Sequence, residues 1–416
     1  MALTMKERQA VLKETATRYR RATKKEKGKI LDEMEALLKL NRCYLAYALR
    51  NYNRKLILPG TNTVFMAGKT KRRQKPKYYG EKVAMALEFI WHLLDFPCGR
   101  RLAPYLKEII PVLERCGELN LDKETKEKLF KISAATIDRI LSPIKKDKAI
   151  KPKTYTKKAS LLKSQIAVRT FADWDDLKPG FIEVDLVAHD GGNASGEFCQ
   201  TLDATCVATC WTETIAVKNK ARRWVFEAIK EIRRRFPFPI QGIDSDNGGE
   251  FINSHLAKYC ENNKIAFTRS RPYRKNDNCY VEQKNYSVVR KAVGYMRYDT
   301  EEELMLLNEL YVILRLYTNF FQPTMKLVEK IRTGSKVTKK YDRAKTPYQR
   351  VLDSSIEQED KKRLKEQYAT LNPVALKDEI TRLQNQLIKS VAQKMRKQRS
   401  LPPNDLEYIL CEATRG

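Results

Sequence analysis

The sequence predicts an α/β domain, a mixed sheet flanked by helices, with all-α segments before it and a basic region after it. From about residue 179, short apolar runs typical of strands alternate with amphipathic helical patterns. The first 143 residues instead show helical periodicity in two blocks. The 81 Lys and Arg against 51 Asp and Glu give a net charge of +30. Such an excess favours a polyanionic partner, most commonly nucleic acid, although a basic surface that serves only solubility is an alternative.

The first block, residues 1–60, is predicted to be helical and helix-turn-helix-like, with a DNA-binding role. Five apolar residues share one helical face: Ile30, Leu31, Met34, Leu37 and Leu38. Asn41 can cap a second helix, RCYLAYALRN, whose basic ends suit a DNA backbone. A plain helical hairpin is the alternative interpretation.

A second block, residues 78–143, is also predicted to be helix-turn-helix-like. Ser133 precedes the short amphipathic run AATIDRIL as a candidate N-cap, at the usual position of a recognition helix, although helical packing alone gives the same pattern. Residues 144–178 are rich in Lys and Arg and predict a basic linker, either a solvated spacer or a segment that follows DNA phosphates. The strand and helix alternation then covers 179–325, and 326–416 is again basic and partly helical.

Cysteine and histidine usage argues against a structural zinc site or a disulfide framework. The nine cysteines include no CxxC pair, and the chain holds three histidines. No signal peptide is visible, and no uninterrupted apolar run approaches the length of a membrane span. The cysteines are interpreted as reduced and the protein as intracellular, with no membrane partner expected.

Three acids stand out by position in the α/β region. Asp185 lies within the strand-like run FIEVDLVAH, Asp246 follows the strand-like run of IDSDNGGEF, and Glu282 begins a helix in NCYVEQKN. Strand ends and helix starts converge on one edge of an α/β sheet. Carboxylates that meet there repel one another unless divalent cations neutralise them, and oxygen ligands suit Mg²⁺ or Mn²⁺. The alternative is that each acid is a solvated residue at the end of an element.

The spacing of these acids resembles the D,D-35-E pattern of the DDE transposase and retroviral integrase superfamily. Thirty-five residues separate Asp246 from Glu282, and SDNGGEF and NDNCYVEQKN are similar to the second and third signature blocks. NFFQP (319–323) and YDRAKTPYQRVL (341–352) resemble bacterial insertion-sequence transposases that carry an integrase core. The core resemblance covers about 179–325.

This resemblance implies an RNase H-like core and an enzyme that cleaves transposon ends and joins their 3′-hydroxyls to target DNA. It assigns Asp185, Asp246 and Glu282 as catalytic acids and as ligands of Mg²⁺ or Mn²⁺, with two ions expected. Asp244 shares a strand face with Asp246, but Asp246 is the last residue before the turn and carries the 35-residue spacing. The substrate is double-stranded DNA, a homo-oligomer is expected on it, and no small-molecule cofactor is expected.

Five further residues near these acids have candidate roles. Asn285, one helical turn beyond Glu282, is a candidate DNA contact, as are Arg290 and Lys291 further along. Glu183 shares a strand face with Asp185 and is interpreted as an outer-sphere residue or as one without a role. His189 could act as a general base, although a histidine after a strand is more often simply polar.

Two other functions remain open at this point. An RNase H-like structure-specific nuclease would cut without joining, but it would need no paired helical DNA readers. A non-catalytic DNA-binding regulator derived from a transposase would not need all three acids at this spacing.

Overall fold

The computed structural model of the chain describes residues 3–57, 64–66, 78–147, 178–246, 248–251, 254–269, 279–333 and 336–399. It divides into two compact units, residues 1–78 and 79–416, and each is considered by itself. Most of the predicted basic linker, residues 148–177, lies outside the described residues.

The first unit is built on three helices in its described part: α1 (Met5–Arg21), α2 (Lys24–Leu38) and α3 (Arg42–Asn51). As predicted, Asn41 caps α3, because its Oδ1 accepts a hydrogen bond from the Cys43 amide at 2.8 Å. Thr4 and Thr23 begin α1 and α2 with capping boxes, which satisfy amides that a helix start leaves unpaired. A short antiparallel pair follows, β1 (Lys55–Ile57) with β2 (Val64–Met66).

The predicted apolar face of α2 is buried with one exception. Ile30, Leu31, Met34 and Leu38 pack against α1 and α3, whereas Leu37 is 53% exposed. α3 buries Leu45 and Leu49, and it exposes a side that carries Cys43, Tyr44, Tyr47 and Arg50.

The second unit contains a five-stranded mixed sheet within the described residues. Its strands are β3 (Phe181–Ala188), β4 (Gln200–Cys206), β5 (Thr212–Val217), β6 (Gly242–Ser245) and β7 (Ala266–Arg269). The order is β5-β4-β3-β6-β7; β4 is antiparallel to both of its neighbours, β3 and β5, and β6 and β7 run parallel to β3. This mixed sheet with helices packed on it confirms the predicted RNase H-like fold.

Helices precede, interrupt and follow the strands of the sheet along the sequence. Those before it are α4 (Glu81–Leu93), α5 (Gly99–Arg115), α6 (Lys123–Lys131) and α7 (Ala134–Asp147). Those within and after it are α8 (Arg222–Arg235), α9 (Ser254–Asn262), α10 (Cys279–Lys284), α11 (Lys291–Val293), α12 (Glu301–Phe321), α13 (Pro347–Asp353), α14 (Gln358–Thr370) and α15 (Pro373–Arg399). A π-helical segment, Asn285–Arg290, joins α10 to α11. An antiparallel hairpin, β8 (Leu327–Thr333) with β9 (Lys336–Tyr341), lies in the basic C-terminal region.

The helices before the sheet share one apolar core with it. Tyr105 on α5 donates a hydrogen bond to the Phe320 carbonyl at 3.4 Å, and Tyr317 donates to the Leu93 carbonyl. Ser133 begins α7 as predicted, since its Oγ accepts from the Thr136 amide at 3.2 Å. The domain boundaries and DNA-binding roles drawn from the sequence stay predictions.

The NFFQP segment ties α12 to the sheet. Asn319 is fully buried, and its side-chain amide accepts from the Thr212 amide at 2.9 Å and donates to the Thr212 carbonyl at 2.8 Å. Phe320 and Phe321 fill the core beside it. This segment therefore has a structural role, because a buried amide that meets both polar groups of an edge strand fixes the register of that contact.

α15 packs along α12 through Ile380, Leu383, Leu387 and Val391, all buried. Their spacing of three and four residues puts them on one face of the helix. No described helix is long and apolar enough to cross a lipid bilayer.

Phe320 offers a test of this shared core. Phe320→Ala should lower the free energy of unfolding by about 3–5 kcal/mol, because its ring packs near Trp211 and Tyr348 and nothing would refill the cavity. Val312→Ala on the same helix, where Val312 is 46% exposed, should change it by about 0.5 kcal/mol or less. Denaturant unfolding of both variants would measure this, and equal effects would contradict the packing described.

Candidate active site

The parallel pairing of β3 with β6 brings two of the predicted acids side by side. Val184 lies opposite Ser245 in the register, so the next residues, Asp185 and Asp246, occupy neighbouring positions directly after the last pair of this parallel ladder. The Asp246 charge contributes to the raised pKa of Asp185. The two carboxyl groups therefore interact electrostatically.

Asp185 is held by two hydrogen bonds. Its Oδ1 accepts from the Leu186 amide at 2.8 Å, and its Oδ2 accepts from the Asn285 side-chain amide at 2.6 Å. Burial is the largest cause that raises the pKa of Asp185 to about 7, and the negative charge of Asp246 comes next. This carboxyl therefore gains or loses its proton near neutral pH when no cation is bound.

Asp246 follows the last residue of β6 and remains partly exposed. Its Oδ1 accepts a hydrogen bond from the Gly248 amide at 2.9 Å, and burial raises its pKa. Arg222 on α8 holds the same turn by donating to the Gly249 carbonyl at 3.2 Å. This turn fixes one carboxylate oxygen of Asp246.

Asp244, the alternative candidate on the same strand face as Asp246, lies inside the sheet. Its carboxylate is fully buried and accepts a hydrogen bond from the Thr268 hydroxyl on β7 at 2.6 Å. This hydrogen bond between Asp244 and Thr268 connects the neighbouring strands β6 and β7.

Glu282 lies in α10, which packs across β3 and β4. Its side chain is exposed, and its charge is a smaller cause of the raised pKa of Asp185. Over the described residues, no three His, Cys, Asp or Glu side chains lie together closely enough to hold a metal ion. Glu282 is thus near Asp185 but does not join the two aspartates as a third ligand in this arrangement.

The three candidate DNA contacts occupy different environments. Asn285 begins the π-helical segment, a feature frequent at functional sites, and reaches Asp185. Arg290 is half-buried and donates to the Ala188 carbonyl at 2.7 Å, so it holds the end of β3. Lys291 is exposed. Contact of these residues with DNA stays a prediction.

His189 is fully buried. Its Nε2 lies 2.6 Å from the Thr201 hydroxyl, and its ring packs edge-on against Tyr298. Burial lowers the pKa of His189 to about 3, so the ring is neutral at physiological pH. This position inside the core does not suit a base that must reach a substrate.

A buried acid and a buried lysine lie beneath the site and were missed from the sequence. Asp203 on β4 is the register partner of Asp185, and Lys284 is buried two residues beyond Glu282. Burial raises the pKa of Asp203, and the Lys284 charge opposes this shift. A signal was available, because Asp203 interrupts an apolar strand as Asp185 does.

Comparison with known proteins agrees with this geometry. The family model described as "Integrase core domain" matches residues 176–275, which include Asp185 and Asp246. This chain belongs to the DDE transposase and retroviral integrase superfamily. It is similar to the uncharacterized protein y4rM of Sinorhizobium fredii (strain NBRC 101917 / NGR234), with 39% identity over 339 residues, 82% of this chain and 93% of that protein. The catalytic core domain of BIV integrase matches with 16% identity and a TM-score of 0.30, over 42% of this chain and 94% of that one.

The integrase core offers oxygen donors of the kind that a hard divalent cation prefers. Asp185 and Asp246 supply carboxylates, and Asn285 Oδ1 is a buried atom that accepts no hydrogen bond in the described structure. Oxygen ligands suit Mg²⁺ or Mn²⁺. The oxygen donors of Asp185, Asp246 and Asn285 therefore fit such an ion in kind, whereas Glu282 on the adjoining helix does not lie together with the two aspartates in this arrangement.

The raised pKa of Asp185 predicts how the stability of the metal-free protein depends on pH. In the folded protein Asp185 keeps its proton up to about pH 7, whereas an aspartate in the unfolded chain loses its proton at about pH 4. This group therefore contributes stability below about pH 4 that is lost as pH rises through about 7. Urea unfolding in EDTA should show a smaller fall over this interval in Asp185→Asn than in the wild type. Identical pH dependence in the two proteins would contradict the assignment.

Proposed function

We propose that the protein is a DNA transposase that cleaves the ends of its element and joins their 3′-hydroxyls to target DNA. The observation that carries this proposal is the pairing of Asp185 with Asp246 directly after the last pair of the β3–β6 ladder, with Glu282 on the adjoining helix. These residues are proposed as the catalytic acids. Both reactions displace one oxygen from a phosphate, first with water and then with the 3′-hydroxyl as the attacking group.

The chain's own residues would prepare the site in distinct ways. Asp185, Asp246 and Glu282 would hold two Mg²⁺ or Mn²⁺ ions. Asn285 orients Asp185, and the Gly248 amide orients Asp246, so neither acid needs to reorganise fully when it binds a cation. The bound ions would supply activation of the attacking oxygen and stabilisation of the leaving oxygen.

The remainder of the chain suits a double-stranded DNA substrate. The net charge of +30 attracts the phosphate backbone. In residues 1–78, α3 exposes Tyr44, Tyr47 and Arg50 on the side away from its core, which supports a role as a DNA reader. Such a protein acts on DNA in the bacterial cytoplasm, and pairing of two ends on one target favours a homo-oligomer.

End joining is the direct test. Purified protein, labelled ends of the element that encodes it, supercoiled plasmid and Mg²⁺ should give joined products. EDTA should abolish them, and Ca²⁺ should not replace Mg²⁺. Nicked plasmid alone would indicate a structure-specific nuclease, and bound but intact DNA would indicate a regulator.

The two acids of IDSD should respond differently to the same change. Asp246→Asn should lower the rates of both cleavage and joining by about 100-fold or more. DNA binding in a mobility-shift assay should stay near wild type. Asp244→Asn is the matched control, since Asp244 is buried and bonded to Thr268. It should lower stability and keep measurable catalysis. An inactive but folded Asp244 variant beside an active Asp246 variant would contradict the site assignment.

A further inference from the structure

Glu183 links the strand of the first acid to the helix of the third. It lies two residues before Asp185 on β3, on the same face, and is fully buried. Its Oε2 accepts hydrogen bonds from the Tyr280 amide at 2.9 Å and from the Val281 amide at 3.0 Å. Glu282 is the next residue of that helix. One carboxylate oxygen thus holds the backbone directly before the exposed acid.

The chemistry of a helix start makes this contact strong. The first amides of a helix have no partner within the helix, and that end carries a partial positive charge. A carboxylate that accepts two such amides forms charge-assisted hydrogen bonds, which are stronger than neutral ones. Because this carboxylate is buried, water competes little for the same amides.

α10 depends on tertiary contacts for its position. It contains six residues before the π-helical segment begins, and so short a helix is unstable by itself. Val281 is fully buried and anchors one side of the helix. The Glu183 contact anchors the backbone at its start, from the same strand that carries Asp185.

Two other buried acids on the same face of the sheet have different partners. Asp244 lies opposite Glu183 in the β3–β6 register and accepts from Thr268, while Asp203 lies opposite Asp185 near Lys284. Within this set, Glu183 is the acid that contacts the backbone of α10.

We propose that Glu183 is a positioning residue that fixes the start of α10 on β3 and thereby sets where Glu282 stands relative to Asp185. This inference rests on the proposed function for its consequence in catalysis, but the contact itself can be tested without activity. Displacement of a reacting group by about 1 Å can cost about 100-fold in rate.

Three variants separate the possible roles of Glu183. Glu183→Gln keeps an oxygen that can accept both amides, whereas Glu183→Met keeps the length and volume without an acceptor. Glu213→Gln is the matched control, because Glu213 is equally buried in the sheet but pairs with Arg315 on α12. It should leave α10 unchanged.

Hydrogen–deuterium exchange of the peptide that contains Tyr280 and Val281 reports the contact directly. We expect faster exchange of these amides in Glu183→Met and near wild-type exchange in Glu183→Gln and Glu213→Gln. End joining should fall about 100-fold in Glu183→Met and less than about tenfold in Glu183→Gln. The Mg²⁺ concentration for half-maximal joining should rise about tenfold or more in Glu183→Met and stay unchanged in Glu213→Gln.

Two outcomes would overturn the inference. Wild-type exchange and joining in Glu183→Met would show that the two hydrogen bonds do not position the helix. Loss of joining in Glu183→Gln as complete as in Asp185→Asn, with unchanged exchange, would make Glu183 a metal ligand instead. If the wild-type protein joins no DNA, the proposed function fails, and the exchange measurement still decides whether the contact holds α10.

Discussion

The structure of the site depends on the parallel pairing of β3 with β6. This pairing puts Asp185 beside Asp246 although 61 positions separate them in the chain. Two carboxylates at neighbouring positions repel each other, and partial burial adds to the cost of their charges. A cation bound between Asp185 and Asp246 would reduce this unfavourable electrostatic energy.

The surrounding contacts keep this arrangement from relaxing. Asn285 and the Leu186 amide hold Asp185, and the Gly248 amide holds Asp246. Glu183 holds the start of α10 from below. Each contact comes from backbone or from a side chain on a packed element, so the acids are oriented before any ligand binds.

Local patterns in the sequence predicted much of the fold and the candidate acids. Asn41 and Ser133 begin helices as their capping chemistry indicated, and the alternating runs after residue 179 form the mixed sheet. Helical periodicity identified the apolar face of α2 but not the limit of its packing, and Leu37 on that face is exposed. The packing of α5 on α12 was also not predictable, because a contact between residues 105 and 320 leaves no local periodic signal. The roles of Glu183 and Asp203 depend on strand register, which the sequence alone does not fix.

The proposed function requires Asp185, Asp246 and Glu282 to hold divalent cations together on DNA. Anomalous diffraction from crystals of the protein bound to its element ends and Mn²⁺ tests it most directly. We expect two Mn²⁺ peaks, with Asp185 at both and with Asp246 and Glu282 as further ligands. Peaks coordinated by Asp244, or none beside Asp246 and Glu282, would contradict it.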